Sequence, residues 1–171
     1  AGLAAGVHAI LIPEIPFKIE LVAEMIKERE SRNSNFAIVV VAEGAIPYAG
    51  ERVVKAREPD QAERLGGIGE RVARELTELT GREARTVVLG HLVRGGTPTA
   101  LDRLLGIRFG AAAVRAIEQG LDGVMVGLNE PRVEFVPLRE AVGTMRLVPL
   151  DCDSMIAARD LGICFGDDPP V

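Results

Sequence analysis

The sequence predicts an α/β fold, a mostly parallel sheet with helices on both faces, and three observations carry that expectation. Strand-like apolar runs alternate with helical patterns along the chain, as in parallel sheets built from strand–helix–strand units. The strand runs are near-continuous in Val, Ile and Ala, as strands covered on both faces are, with no alternation of apolar and polar positions. Hydrophobic content is 47% but aromatic content only 4%, so the core must be aliphatic. A chain of 171 residues is long enough to bury such a core.

The elements follow in order. Residues 1–7 are rich in Ala and Gly, begin without Met or a cap, and read as the end of a helix whose start is missing. His8 to Ile12 reads as a short buried strand stopped by Pro13, with Glu14 at its carboxyl end. Phe17 to Arg32 has a helical stripe of Ile19, Val22 and Ile26. Phe36 to Ala42 is the clearest strand, expected to be central, and Glu43-Gly44 follows it. Residues 45–66 have no clean period and read as an excursion with an exposed loop. Ile68, Val72, Leu76 and Leu79 then mark a helix stopped by Gly81.

A third strand is expected over 85–90, followed by a helix from Pro98 to Gln119 with Thr97 as N-cap. Asp122 to Leu128 reads as a further apolar strand. Val133–Val136 and a weak helix near Arg139–Met145 are less regular, and Ser154–Leu161 reads as a terminal helix.

Charge narrows the function. The chain carries 20 basic against 25 acidic residues and no basic block, so a nucleic-acid-binding face is not expected. No apolar run approaches the ~20 residues of a membrane helix, so no membrane partner is expected either. Cys152 and Cys164 fit no zinc spacing and read as reduced thiols, consistent with a cytoplasmic location. No metal site is expected within the chain. The Gly66-Gly67-Ile68-Gly69 run follows no strand and fits neither nucleotide-loop pattern, so it reads as a helix entry.

The basic residues that do stand out are local. Arg82, Arg85, His91, Arg94 and Arg103 fall within residues 82–103, around a short apolar run, a Gly pair and a Thr-Pro helix start. A strand delivering cations to a Gly-rich turn that opens a helix is a way to hold a phosphate. His91 and Arg94, beside Gly95-Gly96, can reach one phosphate group. Arg85 lies six residues before His91, about 20 Å away on a straight strand. It is either a surface charge or part of a site completed by a neighbouring chain, which would require a homo-oligomer. Glu14 and Glu43 either mark where solvent begins or, for Glu43 beside Gly44, accept hydrogen bonds from sugar hydroxyls.

At these residues the chain resembles the C-terminal half of the 6-phosphofructokinase family. AILIPEIPF (9–17), AIVVVAEGA (37–45), GGIGERVARELTELTGREARTVVLGHLVRGGTPTALDR (66–103) and RFGAAAV (108–114) carry the resemblance. The wording is most similar to the subgroup with both ATP-dependent and pyrophosphate-dependent members. The resemblance implies a partial phosphofructokinase-like fold: residues 1–93 from the fructose 6-phosphate-binding domain, 94–148 packing back onto a phosphoryl-donor domain, and 149–171 a C-terminal tail with a helix.

By the same resemblance, Glu43 binds the fructose ring hydroxyls, and His91 and Arg94 hold fructose 6-phosphate within the subunit. Arg85 reaches the 6-phosphate of a neighbouring subunit in a dimer or tetramer. Glu14 and Arg32 match effector-site positions, although Ser34 and Asn35 stand where regulated members have lysines. The donor, ATP or pyrophosphate with Mg²⁺, and the catalytic base are expected in an N-terminal half preceding this sequence. The chain alone is therefore expected to be inactive in this glycolytic reaction. The other reading of the chain is a non-catalytic phosphosugar-binding or oligomerisation module.

Overall fold

The computed structural model describes residues 1–48, 54–56, 64–65, 67–143 and 146–168. The elements are β1 (Ala9–Leu11), α1 (Ile19–Ser31), β2 (Val39–Val41), β3 (Val54–Ala56), β4 (Arg64–Leu65), α2 (Ile68–Thr80), α3 (Ala100–Glu118), β5 (Val124–Asn129), β6 (Arg132–Pro137), α4 (Leu138–Gly143) and α5 (Asp153–Asp160). A 3₁₀ turn, Gly90–Arg94, lies between α2 and α3. The chain divides into two compact units, Ala1–Val88 with Val148–Val171, and Leu89–Leu147.

In the first unit β1 pairs in parallel with β2, in the register Ala9↔Val39 to Leu11↔Val41. On its other side Ile10 N–H donates to Cys164 O at 2.9 Å, and Cys164 N–H donates to His8 O at 3.0 Å. Side chains alternate across a strand, and β1 uses both faces. Ala9 and Leu11 join a cluster with Phe17, Val22 and Ala23 from the α1 side and Ile68, Val72 and Leu76 of α2. Ile10 and Ile12 pack on the opposite cluster, Ile15, Met155, Ala158, Ile163 and Phe165. Helices on both faces of a parallel pair are the α/β arrangement the sequence predicts.

Two turns fix this unit. Gly81, at φ +71°, ends α2 in the left-handed conformation that spares Gly a Cβ penalty. Gly166, at φ +73°, lies so close to Phe17 that a Cβ there would come within 2.7 Å of the Phe17 Cβ. Burial raises the Cys164 thiol above its ordinary pKa, which favours the thiol over the thiolate.

The strand 36–42 is shorter and less central than its composition predicts. Among the described residues only Val39–Val41 is paired, on one side, and Phe36 and Ile38 are exposed. The excursion expected over 45–66 contains the antiparallel pair β3–β4; residues 49–53, 57–63 and 66, including the first glycine of the Gly66–Gly69 run, lie outside the described residues.

In the second unit, α3 begins at Ala100, capped by Thr99 and not Thr97. Thr99 accepts from Asp102 N–H while the Asp102 carboxylate accepts from Thr99 N–H, a reciprocal capping box. Pro98 therefore lies before the helix, not in its first turn. Gly120, at φ +67°, follows its end. β5 and β6 form an antiparallel hairpin, from Val124↔Pro137 to Asn129↔Arg132. The Arg132–Pro137 stretch is thus a full strand, and α4 ends at Gly143, ahead of Met145, which is outside the described residues. Among the described residues no helix is long and apolar enough to cross a membrane.

Candidate functional site

Glu43 stands in the turn that closes β2. Ala42 N–H donates to Leu11 O at 2.8 Å, and Ala45 N–H returns to Ala42 O at 2.9 Å. Ala45 is buried in the core, so the turn is pinned from beneath while Glu43 remains exposed. The result is a carboxylate at the carboxyl end of a parallel strand, where α/β sheets bind ligands.

The strand expected over 85–90 is not formed. Val87 and Val88 are 75% and 77% exposed, and no strand pairs with the segment among the described residues. A strand needs a neighbour for its backbone groups, and composition alone cannot provide one. Residues 84–86 rest on α2 instead: Ala84 N–H donates to Thr77 Oγ1 at 3.2 Å, and Thr86 Oγ1 to Gly69 O at 3.4 Å. Arg85 is exposed and paired with Glu83 at 3.0 Å. Arg82 is paired with Glu30 at 2.6 Å.

His91 and Arg94 share the 3₁₀ turn Gly90–Arg94. Side chains three residues apart eclipse in a 3₁₀ helix, so the imidazole and the guanidinium lie on one side of the turn. Both are exposed. Gly95 N–H closes the turn onto Leu92 O at 3.1 Å, and Gly96, at φ +106°, redirects the chain towards α3. The start of α3 already holds an anion of its own. Asp102 accepts from Thr99, which lowers its carboxyl pKa below the ordinary 3.8, and its charge complements the helix dipole. The first-turn dipole that the sequence assigns to a phosphate is thus partly neutralised.

Glu43 and Arg85 belong to the first unit and His91 and Arg94 to the second. The turn brings together the latter two. Glu14 has an internal role: its Oε1 accepts the Val148 N–H at 2.9 Å, and its Oε2 is buried without a hydrogen-bond partner. Arg32, at the end of α1, pairs with Glu28 at 2.5 Å. No hydrogen bond joins Glu14 to Arg32 among the described residues. Nor do the described residues contain a cluster of three or more His, Cys, Asp or Glu suited to a metal ion.

Sequence reasoning did not find the Thr99–Asp102 box, although the Thr-x-x-Asp spacing signals it. The Glu14–Val148 bond joins residues 134 positions apart and leaves no local signal.

Residues 1–117 match the family model described as phosphofructokinase. The chain belongs to the phosphofructokinase family. It is 51% identical over 168 residues to the ATP-dependent 6-phosphofructokinase of Chloroflexus aurantiacus, covering 98% of this chain and 46% of that protein. It is 47% identical over 151 residues to the pyrophosphate–fructose 6-phosphate 1-phosphotransferase of Amycolatopsis methanolica, covering 87% of this chain and 44% of that one. A solved phosphofructokinase from Saccharomyces cerevisiae superposes with a TM-score of 0.61 at 29% identity, covering 84% of this chain and 18% of that one. The chain thus spans about half the length of these bacterial phosphofructokinases.

Proposed function

We propose that this chain is the fructose 6-phosphate-binding part of a 6-phosphofructokinase, which transfers a phosphoryl group to the sugar 1-hydroxyl in cytoplasmic glycolysis. The observation that carries the reading is the placement of His91 and Arg94 on one side of a short turn, within a chain of this family. A cation pair at that spacing suits the 6-phosphate, since charge-assisted hydrogen bonds to phosphate are the strong ones. Glu43, exposed on its pinned turn, accepts hydrogen bonds from the sugar hydroxyls.

Arg85 is assigned to a neighbouring subunit's 6-phosphate in a homo-oligomer, a dimer or tetramer. Its partner Glu83 is a surface carboxylate and a weak competitor for such a guanidinium. Binding of an effector by Glu14 and Arg32 would have to displace the Val148 N–H and Glu28 contacts.

The donor, ATP or pyrophosphate with Mg²⁺, and the catalytic base are assigned to the part of the full-length relatives that this chain does not match. Residues 94–148 are assigned to packing against that donor part. Leu101, Leu104, Ile107 and Ile117 of α3 are exposed, which supports a covered face in the whole enzyme. Residues 1–93 and 149–171 complete the sugar-phosphate side.

The test is a turnover assay with fructose 6-phosphate and either donor, on this chain alone and co-expressed with an N-terminal half taken from a full-length relative. Activity only in the second case is expected. Turnover by the chain alone would overturn the assignment of the base.

A further inference from the structure

His8 carries three contacts at the opposite end of β1 from Glu14. Its backbone N–H donates to Ile38 O at 2.9 Å, and its backbone O accepts the Cys164 N–H at 3.0 Å. Its ring adds the third: Nδ1 accepts the Ile38 N–H at 2.9 Å. Ile38 precedes the first paired residue of β2, so the imidazole stands in for the strand acceptor that Ile38 lacks. The ring is half-buried and sits edge-on to Phe36, with centroids 5.6 Å apart and planes at 77°.

We propose that His8 is a pH-sensitive staple joining β1 to the start of β2. The bond requires a lone pair on Nδ1, so the ring must be the neutral tautomer with its proton on Nε2. A second proton removes the acceptor and leaves the Ile38 N–H to water. The charged group facing the ring is Arg29 of α1, a cation that opposes a second positive charge. The segment before β2 contributes the Phe36 ring and backbone groups. The segment at Cys164, bridged to β1, contributes a thiol whose Sγ already accepts the Gly166 N–H. No carboxylate among these groups compensates an imidazolium.

Desolvation and, second, Arg29 hold the His8 pKa below its ordinary 6.5. The sign follows: the contribution is complete above pH 6.5 and is lost as pH falls through the depressed native value.

This chain has two histidines, and in the intact protein that contains it His8→Asn identifies the His8 pair of imidazole ¹⁵N signals by its disappearance. The expected result is an Nε2–H tautomer titrating below 6.5, with Ile38 amide protection falling about tenfold per pH unit once the ring protonates. His8→Asn, whose amide oxygen can accept but does not titrate, should abolish that fall. Should the variant not fold, the ring titration and Ile38 exchange in the unaltered protein decide alone. A ring titrating at or above 6.5, or Ile38 protection unchanged through the transition, would overturn the proposal.

Discussion

The two units of the chain treat apolar side chains differently. Every buried core residue among those described lies in Ala1–Val88 or Val148–Val171, except Ala112 and Ala116 of α3. The first unit gathers its aliphatic residues on two faces of one strand. The second carries comparable residues on a 19-residue helix and leaves Ile107 and Ile117 71% and 76% exposed. A helix with apolar residues around most of its circumference is the pattern of an element made to be covered. Cohesion in the first unit therefore comes from a core, and in the second from hydrogen-bonded hairpin and cap geometry.

The widest separation between the units should appear on truncating Phe17, which is 1% exposed. Phe17→Ala should cost about 3–5 kcal/mol, whereas Ile117→Ala in this chain should stay within about 0.5 kcal/mol. Chemical denaturation of each variant measures both, and equal costs would break the comparison. Gly166→Ala comes next. It combines a left-handed backbone with a clash at the Phe17 Cβ, and should cost about 2–3 kcal/mol in the same assay.

In the second unit, Thr99→Ala should cost about 1 kcal/mol, seen as helicity lost from Ala100–Glu118 by amide exchange. Asp102 gives that cap a pH dependence. Its carboxyl pKa is depressed, so its contribution is present above the ordinary 3.8 and fades as pH falls through the native value. Thr99→Ala should flatten this dependence. Smallest of all, Asp168→Ala removes an exposed ion pair to Lys18 and should leave the denaturation midpoint unmoved.

What the sequence makes legible follows from how local each signal is. The α2 stripe of Ile68, Val72 and Leu76 is buried as its period predicts, and Gly81 stops it. The run Thr86–Leu89 is as apolar as any strand, yet has no strand partner among the described residues, because pairing depends on a partner that periodicity does not encode. Val133–Val136, which reads as less regular, lies in β6: Arg132, Val133, Glu134 and Phe135 do alternate polar with apolar, and the turn at Glu130-Pro131 separates the strand from β5. For the candidate site, the three-residue spacing of His91 and Arg94 was legible and their shared turn preserves it. The Glu83 partner of Arg85 and the Val148 partner of Glu14 depend on side-chain placement that no pattern specifies.

The central proposal rests on the His91–Arg94 turn as a sugar-phosphate site, and steady-state kinetics of Arg94→Ala in the intact enzyme test it most directly. Loss of one charge-assisted phosphate contact of about 1.5–3 kcal/mol should raise the KM for fructose 6-phosphate by about ten- to a hundredfold, with the donor KM unchanged. An unchanged KM and rate would remove Arg94 from the site.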